Sequence, residues 1–479
     1  MDLINWILVA AHALAGVVAA GHALLFKRDP RAALGWIAVC LMFPLAGPIL
    51  YFLFGVNRVK TRAQRMDRSS RLRIQAGHAG AEDAAGVTVL RRSTPQKFVD
   101  LSRVSEAVTH LALTHSNQIV RYHNGEQAYP AMLKAIDQAR ETLYLTTYIF
   151  ETNNTGRKFV AALSRAVTRG VDVRVIVDGV GELYSWPLAT RLLRESGARV
   201  AQFLPPRLVP PSLHVNLRNH RKVLVADGSV VFTGGMNIGD RHLADWPGNR
   251  HPVIDIHFGI TGPVAEQIEQ VFLADWDFVT GEHSATGARE TVETENEGAV
   301  CRTIVDGPNE DLEKLITILL GAISFARSRI VIMTPYFLPS RELISALQSA
   351  ALRNVDVRVI LPAENNLPFV HWATRNLLWQ LLRWGVHVHY QPPPFAHTKL
   401  FLVDDHYAQI GSANMDPRSL RLNFELAVEV YDYSFSSELL SYTSDILKKS
   451  HEVSMAELDG RSLPIRIRDA AAWLMSPYL

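Results

Sequence analysis

The strongest constraint on this chain is that its second half repeats its first. Arg169-Gly170-Val171-Asp172-Val173-Arg174-Val175-Ile176 is answered 184 residues later by Arg353-Asn354-Val355-Asp356-Val357-Arg358-Val359-Ile360. Upstream, Ala135-Ile136-Asp137-Gln138-Ala139-Arg140 is matched by Ala322-Ile323-Ser324-Phe325-Ala326-Arg327, and Tyr148-Ile149-Phe150 by Tyr336-Phe337-Leu338. Within a copy, a helical pattern over Ala131–Arg140 precedes the strand-like Thr142–Phe150. A second helical pattern to Thr168 leads into the apolar strand Val171–Val177. This alternation is the βαβ texture of a layered α/β domain, so the spacing predicts a duplicated α/β body. The acidic, polar stretch Glu290–Glu297 reads as a linker or surface loop between the copies.

Each copy carries the same short motif. The first is His220-Arg221-Lys222-Val223-Leu224-Val225-Ala226-Asp227 and the second His397-Thr398-Lys399-Leu400-Phe401-Leu402-Val403-Asp404. A Pro-rich loop precedes each, with Pro205, Pro206, Pro210 and Pro211 before one and Pro392-Pro393-Pro394 before the other. On a strand, His and Lys two apart point the same way, into a shared cleft. Seventeen residues after each His stands an Asn, Asn237 and Asn414. Even one such motif is expected by chance only about 0.02 times in a chain like this, and two at equivalent places in a duplication are far less expected and have no packing rationale.

These residue types suit phosphodiester chemistry. One His can attack phosphorus and form a phosphohistidine, while a second protonates the departing alkoxide and then activates the acceptor hydroxyl. Two Lys and two Asn can hold the non-bridging oxygens, where charge must be stabilised. With four such donors no metal is required, and no short-spaced zinc ligand set is evident. A reactive His needs its second ring nitrogen oriented by an acceptor. Glu425 is the candidate behind His397, and Asp255 the weaker candidate behind His220. Asp227 and Asp404 complete the candidate catalytic set, although each precedes a turn-like residue and suits a turn-stabilising role. The Asn residues too could serve turns, but their repeated spacing favours phosphate contact. His214, His371, His389 and His406 are unplaced. Trp372, Trp379, Trp384 and Trp473 stand at helical spacing, which favours core packing over membrane contact.

The N-terminus is of another kind. Ile4–Phe26 contains no Lys, Arg, Asp or Glu, and its 23 residues can cross a hydrocarbon core of roughly 30 Å as a helix. After Lys27-Arg28-Asp29-Pro30-Arg31, a second uncharged run extends over Ala32–Val56. Trp36 and Tyr51 are placed for the interfaces, and Pro44, Gly47 and Pro48 would kink it. A two-helix transmembrane hairpin is expected rather than a cleaved signal peptide, because Met1-Asp2 provides no basic leader. Seven basic residues between Arg58 and Arg73 face one acid, Asp67. They favour both termini and the catalytic body on the cytoplasmic side, against the opposing charge of the hairpin loop. The same run could hold anionic headgroups. Two lone cysteines, Cys40 and Cys301, make no disulfide framework.

Taken together, these residues resemble the phospholipase D superfamily and, within it, the bacterial cardiolipin synthases. The resemblance covers nearly the whole chain. Asn216-Leu217-Arg218-Asn219-His220-Arg221-Lys222 is similar to that subfamily's first motif. Ser412-Ala413-Asn414-Met415-Asp416-Pro417-Arg418-Ser419, with Leu422 to Glu425, is similar to its second. The hairpin and the ending Trp473-Leu474-Met475-Ser476-Pro477-Tyr478-Leu479 resemble the family as well. The family departs from this chain near Asp255, where Pro252-Val253-Ile254 replaces an aromatic-basic pattern. The resemblance implies two pseudo-twofold lobes with one active site at the seam, in a bacterial inner-membrane protein. It also implies phosphatidyl transfer between two phosphatidylglycerols, giving cardiolipin and glycerol without nucleotide, metal or other cofactor, with the first His as nucleophile.

The expected organisation is a transmembrane hairpin over residues 1–57, a basic juxtamembrane linker over 58–115, and lobes over 116–289 and 290–479. Transfer from phosphatidylethanolamine, or hydrolysis to phosphatidate, would use the same residues. A membrane-tethered nuclease shares the motif, but a net charge of +2 gives no basic field for nucleic acid. A non-enzymatic lipid scaffold would be expected to have lost a His or Lys in one half, and both halves are intact. The alternative route to cardiolipin through a CDP-activated donor would need a D-G-x-x-A-R type motif, which is absent.

Overall fold

The computed structural model describes residues 3–27, 30–55, 82–206, 217–284, 298–307 and 314–476. The basic run Arg58–Arg73, Pro210-Pro211, His214, Asn216, the linker Glu290–Glu297 and the end Pro477–Leu479 lie outside them. The chain divides into two units, Met1–Arg65 and Met66–Leu479.

In the first unit, helix Leu3–Phe26 turns Leu14, Val17, Val18, Leu24 and Leu25 outward. Its stretch Val9–Phe26 is long and apolar enough to cross a membrane, and among the described residues it is the one helix that is. The second apolar run does not form a matching span. Helix Pro30–Met42 holds 13 residues, about 20 Å at 1.5 Å each. Beyond Pro44 the chain resumes as Ala46–Leu50 and a wide turn over Tyr51–Gly55. The helices touch where side chains are small: a Cβ on Gly16 would lie 2.8 Å from the Cys40 carbonyl oxygen. Tyr51, expected at an interface, is buried, and its hydroxyl meets His22 Nδ1 at 2.8 Å.

The second unit is built on one sheet. Its first lobe has β1 (Thr114–His123), β2 (Thr142–Thr147), β3 (Asp172–Asp178), β4 (Arg199–Phe203), β5 (Val223–Ala226), β6 (Val230–Gly234) and β7 (Ile256–Thr261). The second lobe has β8 (Ala299–Asp306), β9 (Arg329–Met333), β10 (Asp356–Pro362), β11 (His387–Gln391), β12 (Leu400–Val403), β13 (Tyr407–Gly411) and β14 (Glu425–Tyr431), with β15 (His451–Glu452) at its edge. The order is β1-β7-β6-β5-β2-β3-β4 in one lobe and β8-β14-β13-β12-β9-β10-β11 in the other. Adding seven to each label converts the first into the second. The two halves join through the antiparallel pair β1–β8, with Asn117 opposite Ala299. An antiparallel pair is its own mirror under a twofold rotation, so the duplication closes into one continuous sheet. Helices cover both faces, which is why strands such as Val223–Ala226 and Leu400–Val403 are buried throughout and read as unbroken apolar runs. Helices Val264–Thr280 and Tyr433–Leu447 fill the core that the lobes share, where Ile268 and Phe272 join Leu402, Val428 and Leu439.

The stretch expected as a juxtamembrane linker is in part something else. Glu82–Ser93 and Gln96–Thr109 are helices whose Leu90, Phe98, Val99 and Leu101 are buried with Leu315, Leu319 and Tyr407 of the second lobe. The run of basic residues before them masked the helical apolar spacing that follows. The tryptophans differ as well. Trp379, Trp384 and Trp473 are 47%, 45% and 37% exposed, whereas Trp372 packs against the second lobe's core.

Asp227 and Asp404 take the turn role. Both adopt left-handed backbone, φ 49° and 52°, which Asp tolerates better than most residues. The Asp227 carboxylate accepts the amides of Arg140, Glu141 and Thr142 ahead of β2. Asp404 does the same for Arg327, Ser328 and Arg329 ahead of β9, and also holds Lys97. These amides and Lys97 hold Asp404 down to about 2 although burial opposes it. Asp404→Ala is therefore expected to destabilise the protein by about 1–3 kcal/mol through unsatisfied donors, and half-buried Asp227 by less. Denaturant unfolding of the two variants measures the difference.

Candidate active site

The site forms where the lobes exchange backbone hydrogen bonds. Ahead of the first motif, the Phe424 amide donates to the Arg218 carbonyl at 2.9 Å and the His220 amide to the Phe424 carbonyl at 2.9 Å. Ahead of the second, Phe395–Ala396 pairs in parallel with Val253–Ile254, and the His397 amide donates to the Ile254 carbonyl at 2.8 Å. Phe424 is followed by Glu425, and Ile254 by Asp255. Each exchange therefore brings a carboxylate of one lobe beside the histidine of the other.

The orienting pairs are crossed relative to the sequence expectation. His220 Nδ1 lies 3.0 Å from Glu425 Oε1, and His397 Nδ1 lies 3.3 Å from Asp255 Oδ2. The expectation had paired residues within a lobe; the strand exchange at the seam is what reverses it. Both carboxylates are buried. Glu425 is further held by the Ser412 hydroxyl, which donates at 2.5 Å, and Asp255 accepts the Ile256 amide at 2.8 Å. With Nδ1 engaged, Nε2 is the nitrogen His220 has left for the cavity.

Lys222 and Lys399 each donate to the carbonyl of their own motif histidine, at 2.6 and 2.7 Å. Burial lowers Lys222 to about 7 and Lys399 to about 8, against the pull of Glu425 and Asp255. Burial also lowers both histidines, His397 further because Lys399, Lys222 and His220 all oppose its protonation. Burial pushes Glu425 upward, but His220 and Lys222 outweigh it and hold the carboxyl below its usual range. Asp255 is left above its usual range by burial. At neutral pH the imidazoles are thus neutral, Lys399 is largely charged and Lys222 only partly so, an arrangement that an anion would stabilise.

Asn237 and Asn414 both line the cavity. Asn237 Oδ1 accepts the Ile149 amide at 3.1 Å, which directs the rest of its carboxamide. Asn414 Nδ2 donates to Ser419 Oγ at 3.1 Å, and its buried Oδ1 has no partner. A half-turn of that carboxamide lets Ser419 donate instead and presents the NH2 group to a ligand.

Sequence reasoning missed Tyr148 and Tyr336, although their repeat had been visible. Their rings lie 5.4 Å from His220 and 6.1 Å from His397. It also missed Ser412 behind Glu425. The equivalent position in the first lobe is Gly235, where a Cβ would fall 2.5 Å from Asp255 Oδ2 and 2.9 Å from the His397 carbonyl oxygen. Both histidines open on one cleft of about 1260 Å³, bounded also by Arg218, Arg241, Arg418, Leu338 and Phe395. Among the described residues, no group of three or more His, Cys, Asp or Glu could hold a metal ion, and both cysteines are buried.

Two His–Lys pairs from duplicated α/β lobes, converging on one anion-seeking cleft, define the phospholipase D class. The family model described as "Cardiolipin synthase, PLD-like domain" matches residues 132–276 and 319–447, and one described as "Phospholipase_D-nuclease N-terminal" matches residues 14–55. The chain belongs to the phospholipase D-like cardiolipin synthase family. It is 31% identical over 457 residues to the major cardiolipin synthase ClsA of Bacillus subtilis (strain 168), across 95% of each chain. It is 28% identical over 487 residues to cardiolipin synthase 2 of Staphylococcus epidermidis, across 100% of this chain and 98% of that one. The solved phosphatidylserine synthase of Haemophilus influenzae Rd KW20 shares the fold, with a TM-score of 0.60 at 15% identity, over 79% of this chain and 100% of that chain.

Gly235→Ala is expected to displace Asp255 from His397 and to cost roughly 1–3 kcal/mol by overpacking. Ser412→Gly, which removes the donor to Glu425 and an acceptor for the Leu426 amide without adding bulk, should cost less. Thermal unfolding of the two variants checks the order.

Proposed function

We propose that this chain transfers the phosphatidyl group of one phosphatidylglycerol to a hydroxyl of another, giving cardiolipin and glycerol. One observation carries the reading: two histidines, each with Nδ1 on a buried carboxylate of the opposite lobe, share a single cleft. The anionic phosphodiester, once bound, favours the imidazolium form, and His397 takes up a proton from solvent as substrate enters. His220 Nε2 attacks phosphorus, the bond to the headgroup glycerol breaks, and His397 gives that proton to the departing oxygen. The primary hydroxyl of the second lipid then returns a proton to His397 and attacks, breaking the phosphorus–nitrogen bond. Glu425, held ionised, favours positive charge on His220 as that bond forms. Lys222 and Lys399 gain charge when the phosphodiester enters, and the Asn amides complete the oxyanion contacts. Losing one such donor typically costs about 10²–10³ in rate.

A cleft of about 1260 Å³ exceeds the roughly 300–1,000 Å³ of ordinary small-molecule sites, which supports room for donor and acceptor headgroups together. The spanning helix Leu3–Phe26 supports membrane anchoring, and the basic run Arg58–Arg73 supports a catalytic body on the cytoplasmic side. Protease access to that run from the cytoplasmic face tests the orientation.

Purified protein given labelled phosphatidylglycerol should release free glycerol and form a doubled lipid. Phosphatidate as the sole lipid product would sink the transferase reading. His397→Ala should lose about 10²–10⁴-fold, and His220→Ala, lacking the nucleophile, still more.

The ammonium forms exist below their pKa. With Lys222 lowered to about 7 and Lys399 to about 8, kcat/KM should fall as pH rises through that window. Bound phosphate favours the charged forms, so the corresponding limb in kcat should lie at higher pH. A profile flat to pH 9 would show that the lysine charges are dispensable.

A further inference from the structure

Helix Leu463–Leu474 presents its apolar side to solvent. Leu463, Ile467 and Leu474 are 68%, 61% and 70% exposed, and Ala471 is exposed between them. Positions 463, 467, 471 and 474 fall on one face of a helix. The other side is already satisfied. Asp469 and Ala472 are buried, and the Asp469 carboxylate takes Arg375, Arg461 and Arg468 at 2.7–3.0 Å. The outward stripe therefore has no partner among the described residues of the second unit, and the helix's one acid is neutralised inward. Arg466 remains exposed beside it.

The helix that carries the stripe is connected to the cleft rim through packed side chains. Helix Leu463–Leu474 packs on helix Pro368–Leu377. Arg468 sits 4.4 Å over the Trp372 ring, and Trp372 touches Phe369, itself 59% exposed, with ring centroids 5.1 Å apart. Two residues earlier, Leu367 is 45% exposed and lines the cleft. Arg468 and half-buried Trp372 thus link this helix to exposed Phe369 and to Leu367 at the rim of the site.

We propose that this face docks on an anionic lipid surface, with Leu463, Ile467 and Leu474 among the upper acyl carbons and arginines at the headgroups. That is the chemistry of an interfacial amphipathic helix. A second protein copy is the poorer fit, because a strip one helix wide is narrower than the roughly 800 Å² per partner of a stable interface. The inference rests on the reading of the substrate as an anionic phospholipid held in the membrane. Docking here sets the rim of the cleft at the level of the headgroups, so substrate enters without leaving the bilayer.

The test uses the full chain with Ile467→Cys carrying an environment-sensitive fluorophore, the native cysteines being buried. Lys448→Cys, at a side chain 71% exposed, serves as the reference. In vesicles of phosphatidylcholine with phosphatidylglycerol, the probe at 467 should shift to the blue and be quenched by nitroxide lipids, more than in phosphatidylcholine alone. The reference probe should stay as in water. Combined Leu463→Glu, Ile467→Glu and Leu474→Glu should raise the KM for vesicle substrate on the order of tenfold, leaving turnover of a water-soluble short-chain phosphatidylglycerol unchanged. A probe at 467 that stays unquenched overturns the proposal, as does a blue shift that persists in detergent with chemical cross-linking of two copies. The fluorescence reads docking without turnover, so a failure to form cardiolipin would not be mistaken for a failure to dock.

Discussion

The seam between the lobes rests on a backbone exchange that the rest of the site depends on. Arg218 and His220 hydrogen-bond to Phe424, and His397 hydrogen-bonds to Ile254. These bonds fix two extended segments that would otherwise be loops ahead of β5 and β12. Because the exchange runs across the twofold, each lobe supplies the histidine of one half-site and the carboxylate of the other. Neither half can be assembled from one lobe alone. A displacement of one lobe against the other would separate both His–carboxylate pairs at once, so the shared core around Ile268, Phe272, Leu402 and Val428 is part of the catalytic geometry.

Electrostatics give the symmetric frame two unlike halves. Glu425 has its longer side chain, the Ser412 hydroxyl and the His220 ring to keep it ionised. Asp255 has less support, and burial leaves it above its usual range. His220 thereby stands beside the firmer negative charge, which fits its proposed role as nucleophile, where positive charge develops on the ring. His397, lowered further, gives up a proton readily once it has been given one. A duplicated frame diverges toward unequal roles through substitutions as small as Gly235 against Ser412.

Much of this was legible in sequence, and the exceptions share a cause. His220, Lys222, Asn237 and their counterparts could be named because their spacing follows local strand geometry, which sequence encodes directly. The repeated Tyr148 and Tyr336 were visible in the same way, yet nothing in their spacing placed them beside an imidazole. Which carboxylate serves which histidine depends on strands exchanged across the seam, and no local pattern records that. Asp227 and Asp404 belong to the motif by spacing, but their carboxylates are taken up by amides some 75 to 87 positions away in the chain. The helices over Glu82–Thr109 were hidden behind the basic run that precedes them, although Leu90, Phe98 and Leu101 have ordinary core spacing. Trp379, Trp384 and Trp473 show the limit most plainly. Helical periodicity says that a face is apolar, and tertiary packing decides whether that face is covered.

That last distinction separates the substrate question from the chemistry. In the proposed mechanism the His–Lys–Asn set contacts only the phosphodiester and is indifferent to what is attached to it. Selection for a lipid must come from elsewhere, and two features of different origin point the same way. One is the apolar N-terminal unit, whose outward leucines and valines need a hydrocarbon environment. The other is the rim of the cleft, where Leu367 and Phe369 stand exposed beside a site built for a charged group. A soluble phosphodiester would gain nothing from such a rim, and leaving it in water is unfavourable by roughly 25 cal/mol per Å² of apolar surface. A phospholipid would satisfy both parts of the cleft at once, with its phosphate among the lysines and its chains along the rim.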